Sequence, residues 1–149
     1  MFLCIAVSTA ACLLSVGCSN KAALDEYLTQ EVTFPNGTVI RAETMTKPED
    51  MMRGMMFRDS LAPDRGMLFV HGEPGLFPYW MYQVRIPLDI VWMDLDRRIV
   101  EISADTPPCK TEASKCPTYG GHQKAVFVLE LAGGMAKKYG LYVGDKLSF

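Results

Sequence analysis

Most apolar runs along this chain are short, roughly four to eight residues, and are bounded by Gly, Pro, Asn or Asp, which is the layout of β-strands. Residues 31–34 and 38–42 flank Pro35-Asn36-Gly37, and Asn-Gly favours a type I′ turn, so a hairpin should open the folded part. Residues 66–71 (GMLFVH) form another apolar run, which a turn-like GEPG closes, and residues 77–82 follow. Residues 88–94 and 98–104 lie on either side of an Asp-Leu-Asp-Arg turn and predict a second hairpin. Residues 125–131 (AVFVLEL) are too apolar for a half-exposed strand and read as a central one. Residues 143–147 supply a turn and a final strand.

Helical signals are few. Thr46 offers an N-cap with Glu49 at capping-box spacing, and Pro48 suits a first helical turn. Met51, Met52, Met55 and Met56 would then share one apolar face. Residues 135–139 predict a short second helix, after Gly133-Gly134 and before Gly140 in the C-cap place. With no alternation of β and α segments, the expected fold is mainly β: a compact antiparallel barrel or sandwich of about eight strands with one or two short helices.

At 149 residues, one domain is the default. Residues 1–17 carry no charge, and every charge lies beyond them, so the expected organisation is a signal segment over 1–17, a tether over 18–29 and one β-rich domain over 30–149. The junction LSVGC resembles the lipobox of bacterial lipoproteins, which implies that Cys18 is acylated and becomes the first mature residue. Two features depart from that pattern: Ser15 replaces the usual leucine, and no Lys or Arg precedes the apolar stretch. An uncleaved membrane anchor is the alternative, and either route puts the domain outside the cytoplasm, membrane-anchored on the periplasmic face of the envelope. With 15 basic and 17 acidic residues the chain has no basic footprint for nucleic acid.

Export gives the cysteines meaning. Cys4 and Cys12 fall in the signal segment and Cys18 takes the lipid, leaving Cys109 and Cys116 as an even pair in a Pro-rich loop. In an oxidising compartment a disulfide is expected. A metal site built from both thiolates and His122 is the weaker alternative, because structural zinc wants four ligands and closer cysteine spacing.

Candidate chemistry is sparse. Asp89 and Glu130 each interrupt an apolar strand, and a buried carboxylate needs partners, for which Arg53, Arg58 and Arg85 are available. Those five residues form either an ion-pair lattice or a polar pocket in which arginine grips an anion and the carboxylates act as acid and base. Trp80 is the candidate ligand-stacking residue among Phe77, Tyr79, Tyr82 and Trp92, since Pro78 and a Gly-rich turn suggest a pocket mouth. Thioethers of the MMRGMM run with Met67, Met81 and Met93 would suit Cu(I), although methionines at helical spacing more often fill a core. His71 and His122 lie far apart, and no Gly-x-Ser-x-Gly elbow, HExxH, phosphate loop or dinucleotide fingerprint is present, so neither a catalytic residue nor a cofactor is implied.

The blocks RGMMFR (53–58), GMLF (66–69), WM (80–81), IPLDIVWMD (86–94), LEL with Gly133-Gly134, and Gly144-Asp145 occur in that order. Together they resemble the domain-of-unknown-function 192 family. The resemblance implies a small, mostly β domain, often exported, and brings no reaction or catalytic residue with it. Where many members carry Asn-Thr after Trp-Met, this chain has Gln83-Val84. The expected function is therefore a lipid-anchored envelope protein with a non-catalytic binding domain for a small molecule, glycan or protein partner. The alternatives are an envelope enzyme, a glycan-directed hydrolase or lyase using the Asp/Glu/Arg cluster, and a copper-handling protein using methionine.

Overall fold

A computed structural model describes residues 29–149. The expected signal segment, acylated Cys18 and the tether as far as residue 28 lie outside the described residues. Eight strands are present among the described residues: β1 (Thr29–Thr33), β2 (Val39–Met45), β3 (Arg65–Gly75), β4 (Tyr79–Trp80), β5 (Leu88–Met93), β6 (Ile99–Thr106), β7 (Thr118–Tyr119) and β8 (Ala125–Ala132). Helices α1 (Pro48–Arg53) and α2 (Met135–Tyr139) are short, as is a 3₁₀ turn at Ala113–Lys115. Six strands make one sheet in the order β1-β2-β3-β8-β5-β6, and β4 pairs with β7 apart from it.

The fold is mainly β, as expected, and all pairs are antiparallel except β2 with β3. That parallel pair follows from the connection: a crossover through α1 and residues 54–64 returns the chain in its original direction, which no tight hairpin can do. β8 lies at the centre between β3 and β5, and its apolar sequence reflects cover on both faces.

The two faces carry separate cores, because successive side chains of a strand point to opposite sides. One core gathers Val32, Phe34, Ile40, Leu68, Val91, Leu129, Leu131 and Leu147, roofed by α2 and the C-terminal segment. The other gathers Met55, Met67, Phe69, Met81, Ile90, Trp92 and Val128 beneath the segments around α1 and β4. The sheet remains open, so of the two expected architectures it is the sandwich-like one that fits. The C-terminal segment forms isolated pairs, Arg98 with Lys146 and Thr33 with Ser148, instead of the predicted final strand.

Three local expectations need correction. Helix α1 begins after Lys47 without a side-chain cap, so Thr46 does not close a capping box. It ends at Gly54, whose φ of +42° takes the chain off the helical path. Met55 and Met56 therefore lie beyond the helix, and Met52 is 72% exposed, so the four methionines do not share one helical face. The GEPG segment continues β3 across a register shift instead of ending it. Within the loop over 105–124, β7 was unsignalled. It packs beside Gly120, where a Cβ would stand 2.3 Å from the Trp92 ring, so only glycine lets the strand close over that indole.

Candidate functional site

Asp89 and Glu130 sit on neighbouring strands, and the register decides whether they meet. Asp89 pairs with Leu131 and Ile90 with Glu130, so the two carboxylates occupy positions of opposite parity. They point to opposite faces of the sheet and share no pocket. The acid–base pair expected of a glycan-directed enzyme is therefore not assembled.

Asp89 is completely buried. Its Oδ1 accepts the backbone N–H groups of Asp105 (2.6 Å) and Gly134 (3.1 Å), and Oδ2 accepts that of Ala136 (2.6 Å). Two of these donors belong to the first turn of α2, whose own cap position, Gly134, has no side chain to offer. Asp89 therefore caps α2 from a distance and ties it to the β6 end.

Glu130 faces the other core at 4% exposure, and its Oε2 has no hydrogen-bond partner. Burial lifts its pKa to about 8, although the positive charge of Arg58 works in the opposite direction. Arg58 instead grips Glu43 with both guanidinium nitrogens, at 2.5 and 2.6 Å. Beside Glu130, the Tyr79 hydroxyl is held above its usual pKa, first by burial and then by the nearby carboxyl. Tyr79 also reaches His71 Nε2 at 3.1 Å, and His71 stacks on Phe77 with ring centroids 3.6 Å apart. Burial lowers the His71 pKa, which favours a neutral ring whose Nε2 can accept a hydrogen bond from the Tyr79 hydroxyl.

An open cleft of about 550 Å³ lies elsewhere, where the segment after α1 meets the β4–β5 loop and the disulfide loop. Phe57, Gln83, Val84 and Arg85 line it together with Pro108, Cys109 and Lys110. Phe57 and Gln83 both have positive φ, +66° and +57°, and the Phe57 N–H donates to the Gln83 carbonyl at 3.0 Å. Left-handed backbone is costly for such residues, on the order of 1–2 kcal/mol each. Phe57 is 48% exposed. Arg85 bonds Asp59 at 2.8 Å through Nη1 and lies 6.0 Å from the Phe57 ring centroid. Cys109, also in the lining, is disulfide-bonded to Cys116, and its N–H donates to the Met81 carbonyl at 3.1 Å.

The expected polar cluster is thus divided. Arg53 is exposed at the end of α1, Arg58 stands near Glu130, Arg85 belongs to the cleft, and Asp89 belongs to the opposite face. Trp80 is 37% exposed on β4 and packs on Tyr82 with centroids 5.2 Å apart, outside the cleft lining. Tyr82 reaches a lining residue, its hydroxyl accepting from Gln83 Nε2 at 3.2 Å. Cys109 and Cys116 are spent on each other, and His122 bonds Glu101 through its N–H and Nδ1, so the metal alternative built on those three residues is not assembled. Among the described residues no group of three or more His, Cys, Asp and Glu is placed to hold a metal ion, and no helix is long and apolar enough to cross a membrane. Met55, Met67 and Met81 lie buried among Phe69, Ile90 and Trp92 in one core.

Sequence reasoning missed Phe57, Pro108 and Lys110. Arg85, Cys109 and the departure at Gln83-Val84 are the sequence features that fall on the cleft lining. Comparison with known proteins agrees with the fold and is silent on activity. A solved structure from Novosphingobium aromaticivorans, of a protein of unknown function, is 32% identical with a TM-score of 0.70, covering 81% of this chain and 84% of that one. Another, from Sinorhizobium meliloti and named a "putative transcription regulator", is 30% identical with a TM-score of 0.68, covering 79% and 89%. No curated protein matches the chain. The family model DUF192, described as "Uncharacterized ACR", matches residues 31–149, and the chain belongs to that family.

Proposed function

We propose that this protein is a cell-envelope lipoprotein, carried by an acyl group on Cys18, whose single β-rich domain is a non-catalytic binding module. The cleft between Arg85 and Lys110 carries the reading. Its volume, about 550 Å³, falls within the usual range for small-molecule sites. Its walls combine an exposed ring, an amide and two cations, and its only sulfur, on Cys109, is held in a disulfide. The opposed orientation of Asp89 and Glu130 favours binding over acid–base hydrolysis. The disulfide suits an oxidising compartment, in keeping with the export pattern of residues 1–17. A nucleic-acid role, which the name of the Sinorhizobium neighbour would suggest, finds no support in a formal net charge of −2.

The test is a thermal-shift screen of the full chain in detergent against envelope glycans, nucleotides and Cu(I), because a saturating ligand raises the stability of the state that binds it. At least one glycan or small molecule should raise Tm, and that shift should vanish in Arg85→Ala/Lys110→Ala. A flat panel, or a shift that survives the double substitution, refutes the cleft as the binding site. Labelled palmitate should enter the wild-type chain and not Cys18→Ser.

A further inference from the structure

We infer that two bonded turns, residues 94–98 and 142–145, rest on the lipid surface and hold the cleft away from it. The inference rests on the lipoprotein reading above and adds how the domain faces its membrane.

The two turns are locked side by side. The Ile99 N–H donates to the Asp145 carbonyl and the Gly144 N–H to the Ile99 carbonyl, both at 2.8 Å. Arg98 Nη1 reaches the Gly144 carbonyl at 3.2 Å. Each turn also engages an acid of its own: Asp94 Oδ1 accepts the Arg98 N–H, and Asp145 Oδ2 accepts that of Tyr142. On this fixed base Leu95, Tyr142 and Val143 are 68%, 70% and 63% exposed. Single exposed apolar side chains are ordinary, but three on two bonded turns concentrate apolar surface at one place. Tyrosine suits a boundary between apolar and wet surroundings. Charge does not oppose an anionic bilayer, since Asp94, Asp96 and Asp145 are balanced by Arg97, Arg98 and Lys146.

Lipid fits this patch better than a protein does. Three side chains fall far short of the about 20–30 residues a side of a stable protein interface. A bilayer asks less, because the anchor already keeps the domain beside it at high effective concentration. The chain from Cys18 to Thr29 can span up to about 36–40 Å. From Thr29 the path runs along β1 to Thr33, across its bonds with Ser148, and on to the paired Lys146 and Arg98, roughly 30 Å in all. The turns can therefore reach the membrane that holds the acyl group.

The β5–β6 hairpin sets the direction. Residues 94–98 join its strands at one end, whereas Arg85 precedes β5 and Pro108 follows β6 at the other. The six residues of β5 separate the two ends by about 20 Å. Lipid contact through the turns thus leaves the cleft open to the envelope space.

The experiment uses the full acylated chain in vesicles of phosphatidylethanolamine and phosphatidylglycerol, with or without brominated acyl chains. Leu95→Trp and Tyr142→Trp probe the patch, and Lys110→Trp probes the cleft. Bromine should quench both patch variants about twofold more than wild type, because apolar side chains at a lipid surface enter the headgroup and acyl boundary. Lys110→Trp should stay at the wild-type background set by Trp80 and Trp92. Adding Leu95→Asp/Val143→Asp to Tyr142→Trp should abolish the extra quenching, while the chain still floats with the vesicles and Tm does not move. Vesicle-bound patch variants quenched no more than wild type overturn this inference and leave the anchor standing, as does equal quenching at patch and cleft. Patch emission shifted to the blue without bromine quenching overturns it in favour of a protein partner. A chain that fails to float with the vesicles overturns the lipoprotein reading and this inference with it.

Discussion

Asp89 and Glu130 show how similar side chains take opposite roles when the strand parity under them differs. Asp89 is buried against three backbone N–H donors, so its charge is matched where it lies. Glu130 is buried with one oxygen unpartnered, and the neutral form is favoured up to a pH of about 8. The sign of the linkage follows. Between its ordinary 4.5 and about 8, the folded chain keeps the Glu130 proton that the unfolded chain releases. Stability should therefore fall as pH rises through that window, by up to about 1.4 kcal/mol per unit, and level off above it. Glu130→Gln removes the ionisation. Its urea midpoint should match wild type near pH 5 and exceed it at pH 9, by a few kcal/mol of stability at most. Asp89→Asn should do the reverse at every pH, costing about 1–3 kcal/mol, because its amide turns an N–H toward backbone donors. Equal pH profiles for wild type and Glu130→Gln would exclude the buried acid.

At the scale of elements, the disulfide loop is the part most exposed to chemical control. Lys110 lies between Cys109 and Cys116, and three cleft-lining residues precede or fall within that short ring. Closing such a loop stabilises by about 2.5 kcal/mol in the chain-entropy model. Reduction with a dithiol, or Cys109→Ser/Cys116→Ser, should lower Tm by several degrees and weaken cleft binding more than Arg53→Ala does. Unchanged affinity after reduction would mean that the Cys109 N–H bond to Met81 holds the wall unaided. Elements with a local code were legible in advance: the Asn-Gly hairpin, the β5–β6 hairpin, the Cys pair and the C-terminal glycine stop of α2. Less legible were features set by distant partners. β7 is two residues long and exists because β4 lies beside it. The methionine run reads as a helical face, yet Gly54 ends α1 and sends Met55 into the core by another route. The cleft is harder still, since Phe57, Gln83 and Lys110 come from three separate segments, and of these only Gln83 stands out in the sequence, as a departure from the family pattern.

Across the whole molecule, the open sheet leaves β1 and β6 as edges, and unpaired edges invite association with other chains. The C-terminal segment acts on both. Ser148 exchanges backbone hydrogen bonds with Thr33 at 2.8 and 3.0 Å, and the Leu147 N–H donates to the Arg97 carbonyl at 3.0 Å. Between these bonds the Leu147 side chain is fully buried in a core that holds Val32 of β1 and Ile99 of β6. Arg97 then covers the Phe149 ring at 4.9 Å, and Phe149 meets Phe127 of β8 edge-on. The last residues thus couple two strands that lie at opposite ends of the sheet order. Leu147→Ala should cost about 2–5 kcal/mol, the range for emptying a buried leucine site. Hydrogen exchange should then rise in β1 and β6 together, while β8 at the sheet centre stays the slowest. Faster exchange confined to β6 would mean that the segment merely extends one edge, and that the hairpin of β1 and β2 holds its place by its own contacts with β3.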